Sequence, residues 1–330
     1  RASGRRGPRP GAGMPALTVA ALNVVASVSI ILVNKQIVSA RGFHFILTLL
    51  SLNFVTTGTY LQIRAQCGYL QVRHLPPRDR WLIAVLAVST VLLNNASNEA
   101  NSVGFYQITK LLIIPTVIFL ERLGGQRKPY SRRVLGSLAV TSLGVGVATV
   151  SDFEVNARGS VLAVLSVLLT AQYQIWQGSK QLEHGLSASQ ITHSVSYPQA
   201  LIGLLGASVL DVFAPSLKGW LLLRPGGLLE HDLRRADALW VAACCLIAVV
   251  MNISTYGLIG KTSPVTYQVI GQLKTCLIVG LGYAFFDAKA PAFWLAVRFG
   301  GVGIAVLGIT SYALARAGEA GHAGGERKES

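Results

Sequence analysis

The chain has 330 residues; 52% are hydrophobic and only 13% are charged, yet it carries a net charge of +15. A soluble domain holds about 25% charged residues, so the composition excludes an ordinary water-soluble fold. Apolar runs of about 20 residues recur from end to end, the length a helix needs to cross the hydrocarbon core of a bilayer.

In chain order, ten runs predict membrane-spanning helices: 16–38, 43–63, 81–101, 102–121, 133–151, 158–179, 188–210, 238–260, 262–286 and 295–315. Residues 1–15 form a basic stretch with no apolar core. They read as a disordered N-terminal tail and not as a signal peptide, with Met14 a candidate start. Residues 316–330 read as a disordered C-terminal tail. The expected fold class is all-α, with one ten-helix domain over 16–315.

Ten spans put both termini on one side. The tails and loops of that side hold 18 Lys and Arg, against 8 on the other. Cytosolic loops carry such an excess, so both termini are expected in the cytosol. The net charge is a mark of topology and does not point to nucleic acid. Cys67, Cys244, Cys245 and Cys276 lie in or beside apolar spans, with neither metal-ligand spacing nor a disulfide framework.

Two lysines stand out. Lys110 lies within SVGFYQITKLLIIPTVIFL and Lys274 within PVTYQVIGQLKTCLIVGLGYAFF. A charge at the bilayer centre costs about 2.5–3.5 kcal/mol even on the lenient insertion scale, so such residues usually face a cavity or a partner. Lys274 is some twelve residues from either end of its run, about 18 Å from the interface at 1.5 Å per residue, too far to reach the headgroups. Lys110 is closer to an end, and reaching the interface remains a competing account of it. The acids fall in loops or at helix ends, except Glu99, which is the alternative partner for Lys110. An anionic passenger is the favoured partner for both lysines.

The two lysine runs look like copies. One reads Ser102-Val-Gly-Phe-Tyr106-Gln107 and then Lys110; the other reads Ser263-Pro-Val-Thr-Tyr267-Gln268 and then Lys274. Asn95-Ala-Ser97 and Asn252-Ile-Ser254 rhyme just upstream. Their places as spans four and nine suggest a five-plus-five repeat, about 16–151 and 158–315. An odd number of helices per half inverts the second half, a common transporter plan with a midplane site. Tyr106 and Lys110 are four apart, and Tyr267 and Lys274 seven apart, so each pair shares a helical face. An ammonium is a compact phosphate ligand, and a tyrosine ring stacks on a base or sugar while its hydroxyl donates.

Other candidates are weaker. Lys35, near the end of the first span, is either a substrate ligand or a lysine reaching the headgroups. Gln199 and His193 either read a nucleobase edge or make interhelical hydrogen bonds. Asn95 and Asn252 begin glycosylation sequons, but inside apolar runs. The glycines of spans five and ten (Gly136, Gly144, Gly146; Gly300, Gly301, Gly303, Gly308) mark either a homodimer face or close packing within the subunit, the commoner use. No metalloprotease motif, phosphate-binding Gly-Lys loop or metal-binding acid cluster is present, so no catalytic or metal-ligating residue, and no cofactor, is expected.

The segments NSVGFYQITKL (101–111) and KTSPVTYQVIGQLKTCLIVGLGY (261–283) resemble the nucleotide-sugar transporter and triose-phosphate translocator family of the drug/metabolite transporter superfamily. VNK (33–35), the Asn23 region, and Gln199-Ala200 followed by Asp211 add to the likeness, which runs from about Ala16 to Tyr312. The closest branch is the plant and algal one with Lys-Thr in the ninth helix. The resemblance implies a UDP-sugar/UMP antiporter of the Golgi membrane. Lys110 and Lys274 would then hold phosphate, and Tyr106, Tyr267 and Asn95 would line the site, with Gln107, Gln268, Thr275, Lys35 and Gln199 as further candidates. Plastid sugar-phosphate translocators carry Arg directly after the ninth-helix Lys; Thr275 stands here, which favours a nucleotide over a small phosphate. Gln272 replaces a His common in this branch, and Pro198 is one residue off its usual place. A plastid-type sugar-phosphate exchanger and a non-transporting membrane scaffold remain the alternatives.

Overall fold

The computed structural model describes residues 14–40, 42–125, 130–149, 156–219, 227–228, 235–286 and 292–329. The expected N-terminal tail, apart from Met14 and Pro15, lies outside them. The described residues form eleven α-helices and no strand: α1 (Ala16–Lys35), α2 (Ile46–Gln66), α3 (Pro77–Ala100), α4 (Val103–Leu111), α5 (Ile113–Leu123), α6 (Arg132–Thr149), α7 (Ala157–Glu183), α8 (Ala188–Ala207), α9 (Arg235–Lys261), α10 (Pro264–Phe286) and α11 (Ala292–Glu329). Backbone polar groups find no partners in hydrocarbon, and a helix satisfies its own internally. Among the described residues, eight stretches are long and apolar enough to cross a membrane, one of them joining α4 to α5. The chain is an all-α polytopic membrane protein. α6 and α10, the expected fifth and ninth spans, pack among the others, α6 along α11 and α10 against α11, α6 and α1.

The fourth span is broken in two for a local reason. Pro115 has no N–H, and its ring crowds the carbonyl of Leu111 four residues back. The chain tightens at Leu112, whose N–H donates to the Thr109 carbonyl at 3.1 Å. Lys110 therefore sits at the last turn of α4, beside the break. Short π-helical segments, Gln36–Ala40 and Ser208–Phe213, extend α1 and α8.

One expectation is corrected at the C-terminus. Residues 316–329, read above as a disordered tail, continue α11 as helix. Ala, Arg, Glu and Lys there favour helix, while four glycines oppose it. Arg316 Nη1 donates to Glu319 Oε2 at 2.9 Å, one turn on.

The helix pairs follow the five-plus-five pattern. α1 packs along α9, and α3 along α7; α2 packs along α8, and α6 along α11; α2 also meets α9, and α3 meets α8. Exchanging each span with the one five places later turns α1–α9 into α7–α3 and α2–α9 into α8–α3. The same exchange leaves α2–α8 and α6–α11 unchanged. The contact of α10 with α1 likewise answers that of α4 and α5 with α7.

Three of the glycines singled out above, Gly144, Gly301 and Gly308, pack inside the subunit. A Cβ on Gly144 would lie 2.2 Å from the Ala305 nitrogen, and one on Gly301 or Gly308 would lie 2.5 Å from the nitrogens of Ala148 and Thr141. α6 and α11 thus touch backbone to backbone, the contact small residues allow where hydrophobic driving force is absent. Gly136, Gly300 and Gly303 meet nothing within 4 Å. Gly144→Ala and Gly301→Ala are expected to lower the thermal unfolding midpoint of the purified protein, with Gly303→Ala unchanged; a fluorescence melt in detergent checks this.

Candidate functional site

The two lysine helices begin alike. Ser102 caps α4, its Oγ accepting from the Phe105 N–H at 3.3 Å. Ser263 caps α10, its Oγ accepting from the Thr266 N–H at 3.1 Å. In each, the tyrosine four residues after the cap donates its N–H to the serine carbonyl at 3.0 Å. The lysines then part: Lys110 is eight residues beyond its cap and Lys274 eleven. Three residues of α-helix are about 4.5 Å, so Lys274 sits nearly one turn deeper. Each ammonium lies over its own tyrosine ring, Lys110 at 4.4 Å from the Tyr106 centroid and Lys274 at 5.3 Å from that of Tyr267. Such cation–π contact offsets about 0.5–2 kcal/mol, less than the charge costs in hydrocarbon. Next to the lysines in sequence, Leu111 of α4 and Cys276 of α10 share one apolar cluster with Val145 of α6 and Ala305 of α11.

Lys274 is the deeper of the two, 7% exposed. Its Nζ donates to Oδ1 of Asn23, which is fully buried on α1. The Asn23 amide nitrogen donates in turn to Ser254 Oγ and Thr255 Oγ1 of α9, both at 3.0 Å. An ammonium carries donors only, so Oδ1 must face Lys274 and the NH2 must face the hydroxyls. This chain of neutral groups ties α1, α9 and α10 together. None of the ion pairs among the described residues involves Lys110 or Lys274.

The other sequence candidates are distributed around this centre. Gln268 is buried, its Nε2 donating to Gln174 Oε1 of α7 at 2.9 Å. Thr275 turns its hydroxyl back to the Gly271 carbonyl at 3.3 Å. Gln107 is half-buried on α4. Gln199 is buried, its Nε2 donating to the Tyr256 hydroxyl at 3.2 Å, which is itself 3.2 Å from that of Tyr173. His193 meets Gln62 through its Nε2 at 2.8 Å. Lys35 is exposed at the end of α1. Asn95 donates to the Val91 carbonyl of its own helix at 2.8 Å. It lines a small cavity with Glu99, His44, Asp211 and Lys218. Glu99, weighed above against Lys110, lies in that cavity wall.

That cavity holds a feature the sequence reading missed. Asp211, one of the acids read above as lying in a loop or at a helix end, forms a buried ion pair with Lys218, Nζ to Oδ1 at 2.8 Å, with side chains only 3% and 4% exposed. The Thr48 hydroxyl donates to the other carboxylate oxygen at 2.7 Å, and the ammonium lies 4.7 Å from the Phe45 ring centroid. Asn23 was singled out above only as part of a resemblance. Its partner is 251 positions away, and no spacing rule connects the two.

Fold and site together define a polytopic helical membrane protein with fixed cations in its interior. The chain is 38% identical over 291 residues to UDP-xylose transporter 3 of Arabidopsis thaliana, covering 88% of this chain and 78% of that protein. It is 33% identical over 297 residues to UDP-rhamnose/UDP-galactose transporter 2 of Arabidopsis thaliana, covering 89% and 81%. The chain belongs to the nucleotide-sugar transporter family. These relatives are transporters, a non-enzymatic class. A solved crystal structure shares the fold with a TM-score of 0.64 at 14% identity, over 91% of this chain and 98% of that one. No family model matches the chain.

The buried pair yields a test of its own. Truncating one member of such a pair strands the other charge, a loss of about 3–5 kcal/mol, whereas replacing both with neutral groups is often tolerated. Lys218→Met is therefore expected to lower the melting midpoint strongly, and Asp211→Asn with Lys218→Met to recover most of it, in thermal melts of the purified variants.

Proposed function

We propose that this chain exchanges a UDP-sugar for UMP across the Golgi membrane by alternating access, with both termini in the cytosol. One observation carries the reading: the Lys274 ammonium is buried against an uncharged acceptor, in a family whose named relatives transport UDP-sugars. A nucleotide phosphate is the charged acceptor that this arrangement lacks. Phosphate oxygens accept charge-assisted hydrogen bonds from lysine about twice as strong as neutral ones.

In this reading Lys110 and Lys274 hold the phosphates from helices of opposite repeats. Tyr106 and Tyr267, already stacked on the ammoniums, turn a ring or hydroxyl to the sugar or base. Gln107 and Gln199 offer amide edges for the base, and Gln268 does so once released from Gln174. Thr275 puts a neutral hydroxyl where a second fixed cation would favour a small, doubly charged phosphate. Asn95 and Lys35, near the ends of α3 and α1, would meet the passenger before it reaches Lys110 and Lys274. The Lys and Arg excess on one side of the membrane supports the cytosolic termini. Exchange follows from electrostatics. A cavity with two uncompensated ammoniums is costly to occlude, and a bound phosphate removes that cost, so the loaded carrier crosses more readily than the unloaded one.

Liposomes containing the reconstituted protein and loaded with UMP are expected to take up UDP-sugar, with external UMP competing. Lys274→Ala should cut the rate at least tenfold. Brisk uptake into vesicles without UMP would contradict exchange, and uptake indifferent to external UMP would contradict a nucleotide site.

A further inference from the structure

The acceptor that Asn23 offers Lys274 is the one a phosphate oxygen must replace. We infer that Asn23 is a positioning residue that serves as an internal stand-in for the passenger's phosphate, lowering substrate affinity while allowing the unloaded carrier only a slow return. The inference rests on the proposed nucleotide site.

Three observations support it. Asn23 is fully buried on α1, with Oδ1 turned to the ammonium. Its amide is held in that orientation by Ser254 and Thr255 from a second helix, so the acceptor is pre-aimed. The group is neutral. It satisfies a donor without cancelling the charge, so it is displaceable in a way a carboxylate is not. A phosphate arriving at Lys274 competes with Asn23 for the same protons. Winning that competition releases α10 from α1 while leaving α1 tied to α9. Binding is thereby coupled to loosening a contact between the two repeats.

An ordinary packing role predicts the opposite sign for one variant. Removing a packed, hydrogen-bonded side chain that only supports the site weakens ligand binding. Removing a competitor strengthens it. Asn23→Ala is expected to bind UMP about tenfold more tightly than wild type, the order of one hydrogen bond to a charged group. It is also expected to show a lower ratio of net uptake to UMP-driven exchange. Asn23→Asp, nearly isosteric, would hold Lys274 in a permanent ion pair, and UMP affinity should drop tenfold or more with the melting midpoint kept or raised.

The measurement is UMP titration by calorimetry on the full chain in detergent, with the net-to-exchange ratio in proteoliposomes. Asn23→Ala binding UMP equally or less tightly than wild type overturns the stand-in role. If Asn23→Ala does not fold, Asn23→Asp decides: unchanged UMP affinity overturns it. Wild-type protein that binds no UMP instead withdraws the nucleotide site itself, and the inference with it.

Discussion

An ammonium held deep in a membrane bundle is the constraint around which this chain is arranged. Lys274 is buried midway along α10, and its surroundings contribute a ring face and one amide oxygen. Neither neutralises it. The same bundle shows how a permanent charge pair is built when one is wanted: Lys218 and Asp211 close to 2.8 Å, with a threonine hydroxyl on the remaining carboxylate oxygen. The contrast is informative. One buried lysine has a fixed counter-ion; the other has a neutral acceptor in its place.

The fold presents a lysine on a serine-capped helix twice. Serine caps start α4 and α10 in the same register, and a tyrosine follows at the same step. The lysines then differ by nearly a turn, so the repeat duplicates the scaffold more faithfully than the chemistry. Pro115 breaks α4–α5 just after Lys110, while α10 runs on unbroken past Lys274. Backbone contact through Gly144, Gly301 and Gly308 fixes α6 to α11. α4 and α10 both pack on that pair, α4 against α6 and α10 against both.

Much of this was legible in the sequence, for identifiable reasons. Run length announces a span because hydrocarbon thickness is fixed, and the rhyme of the two lysine segments announces the repeat. The break at Leu112 was there to be read from Pro115. What stayed hidden was pairing across the fold. Gln268 looks free in the sequence and is taken by Gln174; Glu99, the acid weighed against Lys110, lines a cavity whose walls do not include Lys110. Lys218 and Asp211 look like loop and helix-end charges because each is polar in a short irregular stretch, and only the tertiary fold buries them together. The end of α11 looked like a tail because it lacks an apolar face and carries four glycines.

The central claim is that the Lys274 ammonium changes partners. An experimental structure of the protein bound to UMP tests it most directly. The account predicts a phosphate oxygen within about 2.7–2.9 Å of Lys274 Nζ, the usual length of a charge-assisted hydrogen bond, with Asn23 Oδ1 withdrawn from it. A nucleotide seated elsewhere, with Lys274 still on Asn23, would contradict it.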